Sequence, residues 1–179
     1  MNICLETERL IIREFEDRDL DGIYAIMKKP EVMYAWEHGF TLDETRAWLV
    51  QQQERYQKNN FGYFAVLQKA TGAIIGQAGL INSDIEGVFV TQIGYIFDNS
   101  VWGNGYANEA AGSLVKAAFN TFGINKLYCT MRPENLPSVK VAERLGFCRV
   151  GEYIKVYNGK EMPHLIYMLE DKQAVLPVF

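Results

Sequence analysis

Residues 87–97, GVFVTQIGYIF, run into residues 101–119, VWGNGYANEAAGSLVKAAF, and this junction constrains the fold more than any other stretch. The first segment is rich in β-branched and aromatic residues, as a strand is. Two glycines, Gly103 and Gly105, follow one residue apart. The second segment then places Ala110, Leu114, Ala117 and Ala118 on one helical stripe. Further on, INKLYCTM (124–131) reads as another strand. Strand, helix, strand implies a parallel crossover between Val88–Phe97 and Lys126–Met131. The chain is therefore expected to be α/β, with a helix launched directly from a glycine turn.

The flanking sequence completes the pattern. TERLIIREF (7–15) reads as a first strand, and Asp17 as the cap of a helix carrying Leu20, Ile23, Tyr24 and Met27, with Pro30 beyond its end. Thr41 and Glu44 have the spacing of a capping box that opens a helix through Trp48, Leu49, Gln52 and Tyr56. Between these helices, YAWEHGF (34–40) is too aromatic for a plain solvent-facing linker. FGYFAVLQK and AIIGQAGLI around ATG predict an antiparallel hairpin, and NSDIEG (82–87) a polar connection to the next strand. A last helix spans about 136–145 with Gly146 just past its end. Asn158-Gly159 then divides a final hairpin. The sum is an α/β (α+β) fold with a mixed, mostly antiparallel central sheet of about six or seven strands and about four flanking helices. One domain is expected over residues 1–179, with 171–179 as a loosely held tail.

Composition narrows the function. Hydrophobic residues make up 49% and charged residues 22%, ordinary for a globular chain. A net charge of −4 argues against a nucleic-acid surface and mildly favours cationic substrates. Cys4, Cys129 and Cys148 form no metal-binding spacing and, being odd in number, no disulfide framework, so no metal is expected and a reducing cytoplasm is. The N-terminal residues lack the pattern of a signal peptide, and no apolar run approaches the roughly 20 residues of a membrane span. The expectation is a cytoplasmic protein without membrane or nucleic-acid partners.

WGNGYANEA (102–110) admits four readings. A phosphate loop of the G-x-x-x-x-G-K-[ST] type is excluded, because no Lys-Ser or Lys-Thr follows. A dinucleotide fingerprint matches at Gly103 and Gly105 but has Asn108 in its third place. A plain turn with glycines at positive φ is the bland reading. The fourth is an anion site, in which glycines let backbone N–H groups approach a ligand and the helix N-terminus adds free donors and its dipole. Rigidly held donors of this kind suit a pyrophosphate.

The same residues resemble the GCN5-related N-acetyltransferase (GNAT) superfamily, and within it the RimJ/RimL-like branch of ribosomal-protein N-terminal acetyltransferases. The coenzyme A signature, [Gln/Arg]-x-x-Gly-x-[Gly/Ala], aligns with Trp102, Gly105 and Ala107, and Trp-Gly-x-Gly-Tyr-Ala followed by Glu109 looks like that branch's own form. ENLPSVKVAERLGF (134–147) and ETERLIIREF (6–15) are similar to two further motifs of the branch. The resemblance implies acetyl-CoA as cosubstrate and an amine acceptor, with the acetyl group passed directly to the amine. It implies that the two parallel strands splay apart, with the pantetheine arm lying in the gap. Backbone N–H groups of Gly103, Gly105, Ala107 and Asn108 are implied to hold the pyrophosphate, with Trp102 and Asn104 in the same loop. A backbone N–H near Gly94 or Tyr95 is implied to polarise the thioester carbonyl, and Asn135 to contact coenzyme A. Ser138, a serine in the branch as well, is implied as proton donor or water anchor for the leaving thiolate.

The departures from the pattern are specific. Asn104 stands where the branch commonly has a basic residue, and Ala142 where many family members have a catalytic tyrosine. Gln92 occupies the strand position where a catalytic carboxylate would be sought. Glu86, Asp84, Glu37 and His38 are the remaining options for a base, with Glu86 taken as the catalytic candidate, and His164 reads as structural. Cys129 lies mid-strand without a paired base and reads as buried and inert. Glu109 suits the positive end of its helix. Tyr34, Trp36, Glu37 and His38 are the expected acceptor contacts. An α-amine with pKa about 7.7–8.0 is roughly one-tenth neutral at pH 7, against less than about one part in a thousand for a lysine amine near 10.4. The lack of an evident base therefore favours an N-terminal α-amine. A small amine, such as a polyamine or an aminoglycoside-like drug, and a non-catalytic acyl-CoA sensor are the alternatives. Oligomeric state is left between monomer and homodimer.

Overall fold

The computed structural model describes residues 4–171, so all but the first residue of the expected tail lies outside the described residues. In chain order the elements are β1 (Cys4–Glu6), β2 (Leu10–Arg13), α1 (Leu20–Met27), α2 (Leu42–Asn59), β3 (Tyr63–Gln68), β4 (Ile74–Ile85), β5 (Val88–Phe97), α3 (Tyr106–Asn120), β6 (Lys126–Met131), α4 (Leu136–Arg144), β7 (Cys148–Tyr157) and β8 (Lys160–Glu170). The sheet order is β1-β2-β3-β4-β5-β6-β8-β7. β5 and β6 pair in parallel, at Gln92↔Tyr128.

Among the described residues the sheet has eight strands, against the expected six or seven. Leu10 O accepts from Thr7 N, turning the chain between β1 and β2, which the sequence reading had fused into one strand. β4 also continues to Ile85, so most of NSDIEG is strand and only Glu86 (φ 51°) and Gly87 (φ 86°) form the connection, a tight hairpin turn. Asp17 does not cap a helix. It lies in a short 3-10 turn and accepts from Gln53 Nε2. Asp19 precedes α1 instead, its carboxylate held by Glu16 N and the Arg13 guanidinium.

The expected capping box is present, with Thr41 Oγ1 accepting from Glu44 N and Glu44 Oε2 from Thr41 N. Asn158 (φ 50°) and Gly159 (φ 76°) make the β7–β8 turn.

Contacts divide the chain into two compact units. The first takes in the chain up to Ile81 together with Gly94–Leu114, the second Asn82–Ile93 together with the chain from Val115 on. The first unit is built on Phe15, Ile23, Met27, Met33, Leu49, Tyr63, Ala65 and Ile96, all buried. Ala110 and Leu114, on the predicted stripe of α3, are fully buried in it. The second unit buries Leu127, Cys129, Met131, Ala142, Phe147 and Met162.

Candidate active site

The glycine turn adopts the geometry that an anion site needs. Gly103 and Gly105 sit at φ 80° and 79°, in the left-handed region that favours glycine. A Cβ added at Gly103 would meet nothing within 4 Å, and one at Gly105 only Arg9 Nη2 at 3.6 Å. Space for a ligand therefore lies directly against the backbone. Tyr106, Ala107 and Asn108 form the first turn of α3, whose N–H groups have no partners within the helix. Asn108 Oδ1 is buried and finds no partner among the described residues. A pyrophosphate-bearing cosubstrate fits this cradle.

What holds the turn rigid was not visible in the sequence. Glu109 Oε1 accepts from Thr7 Oγ1 at 2.5 Å and from Arg9 N at 2.9 Å, while Oε2 accepts from Arg9 Nε at 2.7 Å. Arg9 Nη1 donates to Asn104 O at 3.0 Å, and the guanidinium covers the Tyr106 ring at 4.3 Å. Burial acts to raise the Glu109 carboxyl, but the hydrogen bonds from Thr7 and Arg9 and the Arg9 charge outweigh it and hold it below its ordinary value. Glu109 is thus a clamp between α3 and the β1–β2 turn, beyond the dipole role expected of it. Arg9 brings to the loop the positive charge that Asn104 lacks. Only the motif around Arg9 hinted at this, since about a hundred residues separate it from the loop.

Two expected loop contacts are turned inward. Trp102 Nε1 donates to Phe97 O at 2.9 Å and fastens the loop to the end of β5, leaving an indole that is 54% exposed. Asn104 Nδ2 donates to Val101 O and Trp102 O. Gly94 lies on β5 where a side chain would strike Tyr63 Oη at 1.9 Å. Tyr95 follows it and is half-buried.

In the second unit, Asn135 is the N-cap of α4, its Oδ1 accepting from Ser138 N at 3.3 Å. Ser138 is therefore in the first turn, behind Pro137. Gln92 is buried with its amide engaged on both sides: Nε2 donates to Ser83 Oγ and Oε1 accepts from Thr130 Oγ1. Glu86 projects from the exposed turn, and Asp84 accepts from Gly87 N. Burial pushes the Cys129 thiol up to about 12, leaving it protonated. His164 is buried on Met162 O and held neutral by burial.

The expected acceptor residues divide. Trp36 packs edge-on against Phe40 and Trp48, at 6.1 and 6.0 Å, and borders the core of the first unit. Glu37 is exposed at φ 66°. His38 bonds Glu44 Oε1 through Nε2 and Trp36 O through Nδ1, which raises its pKa and favours the charged ring. Both ring nitrogens of His38 are thus engaged. Tyr34 is half-buried in the same short turn as Trp36. Among the described residues no cluster of His, Cys, Asp or Glu could hold a metal, and no helix is long and apolar enough to cross a membrane.

A glycine turn that opens a helix directly from a strand suits a pyrophosphate-bearing cosubstrate. The profile of the Acetyltransferase (GNAT) domain matches residues 9–148, and the chain belongs to this family. It is 31% identical over 164 residues to the uncharacterized protein YkkB of Bacillus subtilis, covering 91% of this chain and 93% of that one. It is also similar to a GNAT-family acetyltransferase from Bacillus anthracis, with TM-score 0.80, 25% identity and coverage of 94% and 98%. At 16% identity, TM-score 0.79 and the same coverage, the fold matches RimL, a ribosomal L7/L12 alpha-N-protein acetyltransferase solved with coenzyme A. The protein is an acetyltransferase, and acetyl-CoA is its donor.

Proposed function

We propose that the acceptor is the N-terminal α-amine of a protein or peptide, and that the chain is RimJ/RimL-like. The observation that carries this reading is Gln92. The strand position suited to a base holds a neutral amide, engaged on both sides by Ser83 and Thr130. The buried carboxylates of the described residues, Asp19 and Asp98, are paired with Arg13 and Lys29, and neither is free to take a proton. An α-amine needs little help, since a useful fraction is neutral at pH 7. The RimL match supports the same acceptor class.

In this reading the N–H groups of Gly103, Gly105, Ala107 and Asn108 hold the pyrophosphate, with Trp102 and Asn104 shaping the loop. Backbone N–H groups near Gly94 and Tyr95 polarise the thioester carbonyl that acetyl-CoA supplies. Asn135 contacts the cosubstrate, and Ser138 delivers a proton to the departing thiolate, directly or through water. Glu86 is retained as the remaining carboxylate for proton removal, and Tyr34, Trp36, Glu37 and His38 as the acceptor side. The two units act as one acetyltransferase domain, because the chain crosses between them inside β4, β5 and α3. Three free cysteines suit the reducing cytoplasm.

Thiol release from acetyl-CoA, with free-N-terminus peptides beside the same peptides N-terminally blocked, spermidine and an aminoglycoside, tests the acceptor. Turnover on free peptides alone is expected. Turnover confined to a small amine would replace the peptide reading with the small-amine one, and binding without release on any acceptor would leave an acyl-CoA sensor. On the active acceptor, Ser138→Ala should lower kcat about 100-fold with the KM for acetyl-CoA unchanged, as loss of one proton donor does. An unchanged kcat would remove Ser138 from the chemistry.

A further inference from the structure

Tyr63 begins β3, and its ring lies buried in the first unit with 6% of its surface exposed. Its backbone is fully engaged: Tyr63 N donates to Gln52 Oε1, and Tyr56 Oη donates to Tyr63 O. Its hydroxyl finds no hydrogen-bond partner among the described residues. The ring is buried but Oη is not among the polar atoms sealed from solvent without a partner, so the hydroxyl is open to a ligand. The hydroxyl also sits in a place cleared for it. β3 and β5 are separated by β4, where Tyr63 pairs with Gly79. A Cβ at Gly79 would lie 2.4 Å from Tyr63 Cα, and one at Gly94 on β5 would lie 1.9 Å from Tyr63 Oη. Any side chain at Gly94 would collide with the hydroxyl. The Trp48 ring, 5.3 Å away, flanks the Tyr63 ring.

We propose that Tyr63 is a further catalytic residue, whose hydroxyl donates a hydrogen bond to the thioester carbonyl oxygen beside the backbone N–H near Gly94 or Tyr95. This rests on the reading of Gly94 as the carbonyl-polarising position. Tyr63 keeps its proton throughout: the amine attacks the carbonyl carbon and loses a proton to water, the hydroxyl stabilises charge on the oxygen, and the C–S bond then breaks to release thiolate, which takes a proton from Ser138 or water. The same group is unsuited to protonating that thiolate. Burial pushes the phenol up to about 12, so transfer to a thiol of pKa about 8.5 is uphill by more than roughly a thousandfold. A neutral, fixed donor is what an oxyanion site uses.

The test needs no acceptor. Isotope-edited infrared spectra of bound acetyl-CoA labelled with carbon-13 at the carbonyl report its polarisation. Wild-type protein should lower the carbonyl stretch relative to free acetyl-CoA, and Tyr63→Phe should lose much of that shift while binding acetyl-CoA within about 2-fold of wild type. With an active acceptor, kcat should fall about 100-fold, as on removal of one oxyanion donor. The melting temperature should hold, because the hydroxyl makes no hydrogen bond within the protein; a structural role would lower it. Equal shifts in both proteins would overturn the role of Tyr63 and leave the acetyl-CoA site standing. Failure of the wild type to bind acetyl-CoA would overturn the site reading itself. Should Tyr63→Phe not fold, 3-fluorotyrosine at position 63 keeps the ring and strengthens the donor; a deepened shift supports the proposal and an unchanged one refutes it.

Discussion

Gly103→Val should weaken acetyl-CoA binding by at least about 100-fold while leaving a folded protein. A Cβ there meets nothing within 4 Å, so the main effect of the valine is to fill the space where a pyrophosphate approaches the N–H groups. The φ of 80° adds strain of about 1–3 kcal/mol for a β-branched residue, bearable for a chain of this size. Isothermal titration with acetyl-CoA reads the affinity, and circular dichroism the fold. Gly87, also at positive φ with open space around it, gives the control: Gly87→Val imposes similar strain away from the glycine turn and should leave affinity unchanged.

Glu109→Ala should cost about 2–3 kcal/mol of stability and also loosen the coenzyme loop. It strands Thr7 Oγ1, the Arg9 backbone N–H and the Arg9 guanidinium at once. Arg9 is 41% exposed, so solvent recovers part of the loss, whereas Glu109 is largely covered at 17%. For 179 residues this is a fall in Tm of roughly 5–10 °C. The pH dependence has a definite sign. The folded Glu109 carboxyl lies below its unfolded value, so its contribution is fully present above the unfolded pKa of about 4.3 and is lost as pH falls through the folded value. Thermal melts of wild type and variant should differ most at neutral pH and converge in acid. A gap that widens below pH 4 would contradict the clamp.

These predictions divide the site into parts that were legible in the sequence and parts that were not. The strand, glycine turn and helix were readable because local rules govern each: β-branched residues, left-handed glycines and an apolar stripe that proves buried at Ala110, Leu114, Ala117 and Ala118. The capping box at Thr41 and the Asn158-Gly159 turn were readable for the same reason. The Glu109 clamp was not, since its partners come from a turn that the reading had made into strand. β4 was shortened because Asn82, Ser83 and Asp84 resemble a loop in composition, yet Asn82 and Ser83 meet Thr91 and Gln92 across the ladder. The Tyr63 hydroxyl was invisible because its neighbour is the absence of a side chain at Gly94, two strands away. The packing of Trp36 against Phe40 and Trp48 was not legible either, because no local pattern encodes it.

The most direct measurement is a titration of nitrogen-15-labelled protein, following backbone amides as coenzyme A or pantetheine is added. Coenzyme A carries the pyrophosphate and pantetheine does not. If the glycine turn is the pyrophosphate cradle, the amides of Gly103, Gly105, Ala107 and Asn108 shift with coenzyme A and stay in place with pantetheine. Coenzyme A binding that leaves those four amides unmoved would place the pyrophosphate elsewhere and contradict the account.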